Sequence, residues 1–245
     1  MIMKAAKILK SAGKGAGLIR DYFRYNLKII FANKFVYFAV TALLFFLLVA
    51  SIMFFSSDSS PDEGDIYSIL LFPGILLVFY PSVFGIQNDR DFGMLEILFA
   101  VPNYRYRVWL VRLILIYAVT FGMMVVLAAL SAVIIVPVPV FIMVYQIMFP
   151  VFFIGSLSFM MSTLIRNGNG AAVVMVIIGL AFWITGGWLE HSRYFLFLNP
   201  FSPPSDMCNY IWSEIVMKNR IYLSVGAVIS ILWALFNLQK REKFV

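Results

Sequence analysis

The chain has 245 residues, 62% of them hydrophobic and 13% charged, with a net charge of +7 and a mean hydropathy of +0.93. That composition lies far outside the range of a soluble domain and points to a chain that lives in a bilayer. A single cysteine, Cys208, and a single histidine, His191, exclude an intrachain disulfide and a His/Cys-rich metal site.

The first 34 residues form a basic arm ahead of any long apolar run. Gly13-Lys14-Gly15 is not a phosphate loop, because no Ser or Thr follows the lysine and the glycine spacing is wrong. From Leu18 a helical period sharpens. Ile19, Tyr22, Phe23, Leu27, Ile30 and Phe31 share one face, and Arg20, Arg24 and Lys28 form a stripe at i, i+4, i+8. This pattern predicts a helix lying in the membrane interface with its basic face toward anionic lipid headgroups.

A hydrocarbon core takes about 20 apolar residues per helical crossing. Six stretches qualify: 35–55, 66–86, 108–136, 140–165, 171–188 and 221–238. The expectation is an all-α membrane protein with one six-span domain over 35–238, an interfacial arm over 1–34 and a short tail over 239–245. The loops are too short for a soluble catalytic domain. No cleavable signal peptide is expected, because the first apolar run is full length and follows a basic arm.

The distribution of Lys and Arg sets the orientation. With six spans, sixteen of the nineteen basic residues share the side of both termini, among them Arg90, Arg105, Arg107, Arg112 and Arg166. Only Arg193, Lys218 and Arg220 face the other side, together with the acidic residues Asp58, Asp62, Glu63, Asp65, Glu190, Asp206 and Glu214. Both termini are therefore expected in the cytoplasm, and the positive charge reads as a topology signal with no nucleic-acid partner.

Further features follow in order. The acidic outer loop 56–65 reads as a solvated loop. Pro73 and Pro81 interrupt the hydrogen bonding of the second stretch. Gln146 and the row Gly155, Ser158, Ser162 lie in the fourth, and such small-residue rows let helices pack closely. After the fifth stretch, Pro200 and Ser202-Pro203-Pro204-Ser205 precede Met207, Ile211 and Ile215 at i, i+4, i+8. This predicts a short amphipathic helix at the outer surface between spans five and six. With Arg112 counted in the loop before it, no Asp, Glu, Lys or Arg lies within the six stretches, whereas ion-coupled transporters usually carry such a group; carbonyl-lined ion sites stay open, and the pattern weighs toward energy supplied from outside the membrane. His191, at an outer membrane edge beside Glu190 and Arg193, reads as an interfacial polar residue and not as a catalytic base; no Ser-His-Asp set is visible, and no Walker motif is present.

The longest inner break, 87–112, reads QNDRDFGMLEILFAVPNYRYRVWLVR. Asn88 or Asp89 is expected to cap a short helix over 89–100, with Phe92, Leu95 and Phe99 on one apolar face, Glu96 beside them and Pro102 ending it. Such a helix fits a groove on a soluble partner, and it fits equally a surface helix resting on its own membrane domain.

The run Gly93-Met94-Leu95-Glu96-Ile97-Leu98, followed by Val101-Pro102 and a basic re-entry, resembles the loop between the second and third spans of type-two ABC transporter permeases. The usual pattern has threonine where Met94 stands and glutamates where Asp89 and Asp91 stand. The span count, the helix before the first span and the Pro-rich segment before the last extend the resemblance over most of the chain. It implies a permease subunit of an exporter in the bacterial or archaeal cytoplasmic membrane, working as a dimer with a second copy or a related chain. It also implies two copies of a separate ATPase subunit that holds ATP and Mg, with no cofactor in this chain. Asp89, Phe92, Leu95, Glu96 and Phe99 would form the coupling helix on that ATPase, and the face of Arg20, Arg24 and Lys28 would lie against lipid or the ATPase. Two other readings stay open: a non-transporting assembly subunit of the same fold, and a membrane-embedded enzyme that modifies lipids.

Overall fold

A computed structural model describes residues 35–56, 61–94, 105–189, 192–205 and 207–239. The arm with Arg20, Arg24 and Lys28 lies outside these residues, as do Leu95, Glu96 and Phe99. Every regular element among the described residues is helical.

The helices are α1 (Phe35–Ser56), α2 (Glu63–Asp91), α3 (Val111–Ile134), α4 (Val140–Ile165), α5 (Gly168–Ile184), the four-residue α6 (Gly186–Leu189) and α7 (Asn209–Asn237). A π-helical turn, Arg105–Leu110, leads into α3. Four helices are long and apolar enough to cross a membrane: Glu63–Asp91, Val108–Ile134, Val140–Ile165 and Asn209–Asn237. Tyr37–Ile52 and Gly168–Ile184 are apolar but shorter. The chain is thus an all-helical integral membrane protein. At 1.5 Å per residue the 29 residues of α2 and of α7 span about 43 Å, longer than a hydrocarbon core of about 30 Å.

Local chemistry sets several ends. Asp62 caps α2: its Oδ1 accepts from the Asp65 amide at 2.8 Å, and Asp65 Oδ2 accepts from the Asp62 amide at 3.1 Å. This reciprocal box gives two acids at the start of α2 a structural job. Arg166 ends α4 with φ 58°, in the left-handed region. Asn167 then caps α5, its Oδ1 accepting from the Asn169 and Gly170 amides.

Helix α4 is the centre of the bundle. It packs most extensively against α7 and α2 and also touches α3 and α5. The small-residue row on α4 makes this possible. A Cβ built on Gly155 would sit 2.6 Å from Val78 Cγ2 and 2.8 Å from the Tyr117 hydroxyl, so the helices approach as closely as they do only because no side chain intervenes. Further along the same face, Ser162 Oγ donates to the Val83 carbonyl at 2.7 Å. The largest apolar core joins α1, α2, α3 and α4 through Phe46, Leu70, Ile116, Met124 and Ile147. The outward faces of α1, α5 and α7 stay apolar, as at Leu48, Trp183 and Trp233, which suits contact with lipid.

Two expected elements differ. No separate amphipathic helix precedes the last span, because residues from Asn209 onward are continuous with it in α7. Ile211 and Ile215 belong to the first turns of that same helix, Met207 lies just before its N-cap Cys208, and no proline or glycine separates Asn209 from the span. Nor does a new helix begin at Asn88 or Asp89, since both lie in the last turns of α2.

Candidate functional site

Polar side chains gather at the two ends of the bundle. At the end bearing the 87–112 break, α2 closes with a Schellman motif. Phe92 is the C-cap and Gly93 has φ 65°. The Gly93 amide donates to the Arg90 carbonyl at 2.9 Å and the Met94 amide to the Asp89 carbonyl at 2.8 Å. Glycine is favoured at that position because a Cβ disfavours positive φ. This glycine is why α2 ends there and no helix starts at residue 88 or 89; residues 95–100 of the helix expected over 89–100 lie outside the described residues.

Asp89 is consequently held inside the bundle. Its Oδ2 accepts from Arg112 Nη1 at 2.6 Å, and the two side chains are 6% and 7% exposed. The guanidinium lies 5.5 Å from the centre of the Trp109 ring. Gly85 is also close, where a built Cβ would come within 3.8 Å of Arg112 Cζ. Arg112 is thus wedged between α2 and the start of α3. Gln87 Oε1 accepts from the Gly168 amide at 2.6 Å and fastens the same end of α2 to the first turn of α5. Of the residues expected to meet an ATPase, Asp89 faces inward, whereas Phe92 is 68% exposed, with Met94 exposed beside it.

At the opposite end the segment 192–205 is strapped onto the helices. Arg220, in α7, is 6% exposed and has only neutral acceptors among the described residues. Its Nε donates to Gln146 Oε1 at 2.9 Å, Nη1 to Asn219 Oδ1 at 3.0 Å, and Nη2 to the Leu198 carbonyl and the Tyr67 hydroxyl at 3.3 and 3.4 Å. The Phe149 ring adds a cation–π contact at 5.6 Å. Asn219 uses both amide hydrogens on the Arg193 and Phe195 carbonyls. Trp212 Nε1 donates to the Pro200 carbonyl, and Asn199 Nδ2 to the Gly64 carbonyl. One buried arginine therefore ties α2, α4, α7 and the strap together.

These two arginines correct the expectation of spans without ionisable groups. Arg112 lies within the α3 crossing, and Arg220 lies within α7 and away from solvent. Neither cluster sets a nucleophile beside a base. Among the described residues no group of three His, Cys, Asp or Glu side chains is placed to hold a metal ion.

No family model, curated protein or solved structure matches the chain. The functional reading therefore rests on the residues themselves. Asp89 was legible as a loop-flanking acid, but its partner was not. Opposite charges bracketing a loop between two apolar runs were the signal for Asp89–Arg112. In the sequence Arg220 counts only as one of three basic residues, with Arg193 and Lys218, on the side opposite the termini. Lys218 is half exposed and pairs with Glu214 at 2.6 Å. A helical wheel places Arg220 close to the apolar Leu223 and Ala227, both buried, and that was the available clue.

Proposed function

We propose that this chain is the permease subunit of a type-two ABC exporter, crossing the membrane six times with both termini in the cytoplasm, and driven by a separate ATPase that docks on the loop between α2 and α3. The reading is supported first by the Gly93–Leu98 run and the basic re-entry. It is supported further by the Lys/Arg asymmetry and by a helical bundle in which neither polar cluster has the make-up of a catalytic site.

The observation that carries it is the Asp89–Arg112 ion pair. The two residues lie 23 apart in sequence and close the base of the loop between them. A force applied to residues 92–104 is then delivered to α2 and α3 together. Helix α2 is packed along α4, and α4 along α7, so a tilt of the first pair is passed through close-packed helices to the outer strap. ATP binding in the partner would supply the push, and the coupled tilting of paired permeases would open the pathway alternately.

The test is co-expression with the ATPase, followed by co-purification and measurement of ATP hydrolysis. Phe92→Asp should reduce recovery of the complex because it places a charge on the exposed apolar patch. Glu96→Ala should weaken the complex or uncouple hydrolysis. Full assembly with normal hydrolysis in both variants would refute docking at this loop.

A further inference from the structure

Beside Arg112 lies a small cavity of about 10 Å³. Ser82 and Gly85 of α2, Trp109 and Arg112 at the start of α3, and Phe159 of α4 line it. Ser82 Oγ and Trp109 Nε1 are both buried and have no hydrogen-bond partner among the described residues. Each residue is 2% exposed. A buried N–H or hydroxyl without a partner forfeits the hydrogen bond it made in water and gains nothing in return.

The size and the chemistry of the cavity agree. One water needs at least ~10–15 Å³ measured this way, and two to four polar neighbours. An indole N–H only donates, while a serine hydroxyl donates and accepts. A cavity lined by leucine, isoleucine and phenylalanine alone stays dry, whereas this one has two orphan polar atoms and a guanidinium on its wall.

We propose that this cavity is an internal hydration site holding one water molecule, its oxygen accepting from Trp109 Nε1–H and its second contact made with Ser82 Oγ. The site brings solvent to the Arg112 side of a buried ion pair. A charge pair bordered by water separates more easily than one sealed in hydrocarbon, because each ion keeps part of its hydration. The water makes the joint between α2 and α3 deformable without breaking the bundle. This assignment is independent of what the chain transports or whether it transports at all.

The full chain, labelled with ¹⁵N-tryptophan in nanodiscs, tests it by NMR. Loss of one signal in Trp109→Phe assigns the Trp109 indole among the five tryptophans. The expected result is magnetisation transfer between water and the Trp109 indole N–H, abolished by Ser82→Val, which fills the cavity with methyl groups. No transfer in the wild type overturns the proposal, as does transfer that persists in Ser82→Val. Ser82→Ala gives a second readout should the valine variant not fold. Removing a hydroxyl that holds a water lowers the thermal midpoint, whereas removing an orphan hydroxyl leaves it unchanged or raises it, and that second outcome also overturns the site.

Discussion

Replacing Arg112 by leucine should be among the most damaging single changes in the bundle. The pair Asp89–Arg112 has a 2.6 Å contact with both side chains more than nine-tenths buried. Charge centres about 4 Å apart attract by about 4 kcal/mol at an effective dielectric near 20. Removing one partner forfeits that attraction and leaves a buried carboxylate, a loss measured at about 3–5 kcal/mol in comparable sites. Arg112→Leu should therefore destabilise the protein by that amount. Asp89→Leu should do the same by stranding the guanidinium. The double variant Asp89→Leu/Arg112→Leu should recover most of the loss, because no unpaired charge remains and Trp109, Leu113 and Phe159 offer apolar surroundings. Reversible unfolding of the four proteins in detergent, followed by circular dichroism, measures the cycle. A single variant costing under about 1 kcal/mol, or a double variant as unstable as the sum of the singles, would refute a buried, mutually dependent pair.

Gly155→Ala should cost about 1–3 kcal/mol in the same assay, because its Cβ meets Val78 and Tyr117 at 2.6–2.8 Å, whereas Gly122→Ala, with open space around it, should be neutral or mildly stabilising. Arg220→Leu strands the acceptors on Gln146, Asn219, Leu198 and Tyr67, so limited proteolysis should cut the 192–205 strap faster than in the wild type, and unchanged cleavage would argue against the clamp. In a Cys208→Ser background, a membrane-impermeant thiol reagent applied to intact cells should label cysteine at position 62 and spare position 103. Equal labelling, or labelling at 103 alone, would reverse the topology drawn from Lys and Arg.

The membrane class, the helical content and the positions of the apolar runs follow from composition and hydropathy alone, since a lipid environment permits few backbone solutions and helices are the one this pattern fits. Side-chain size on one helix was equally readable: Gly155, Ser158 and Ser162 lie on a single face whatever packs there. Period and hydropathy are local quantities, and they failed where the outcome depended on a residue far along the chain. Asn88 and Asp89 have the composition of a helix start, yet Gly93 provides the end of α2 and Arg112, 23 residues from Asp89, provides the charge that draws Asp89 inward. Met207, Ile211 and Ile215 have the period of a separate helix, but Asn209–Ile215 is continuous with the span in α7 and Met207 lies outside it. Arg220 looks like a neighbour of the exposed Lys218. Its burial depends on acceptors contributed by Tyr67, Gln146 and Leu198, which are 153, 74 and 22 residues away. A polar group's place in a membrane protein is decided by whether partners meet it once the helices pack, and in this chain those partners come together only in three dimensions.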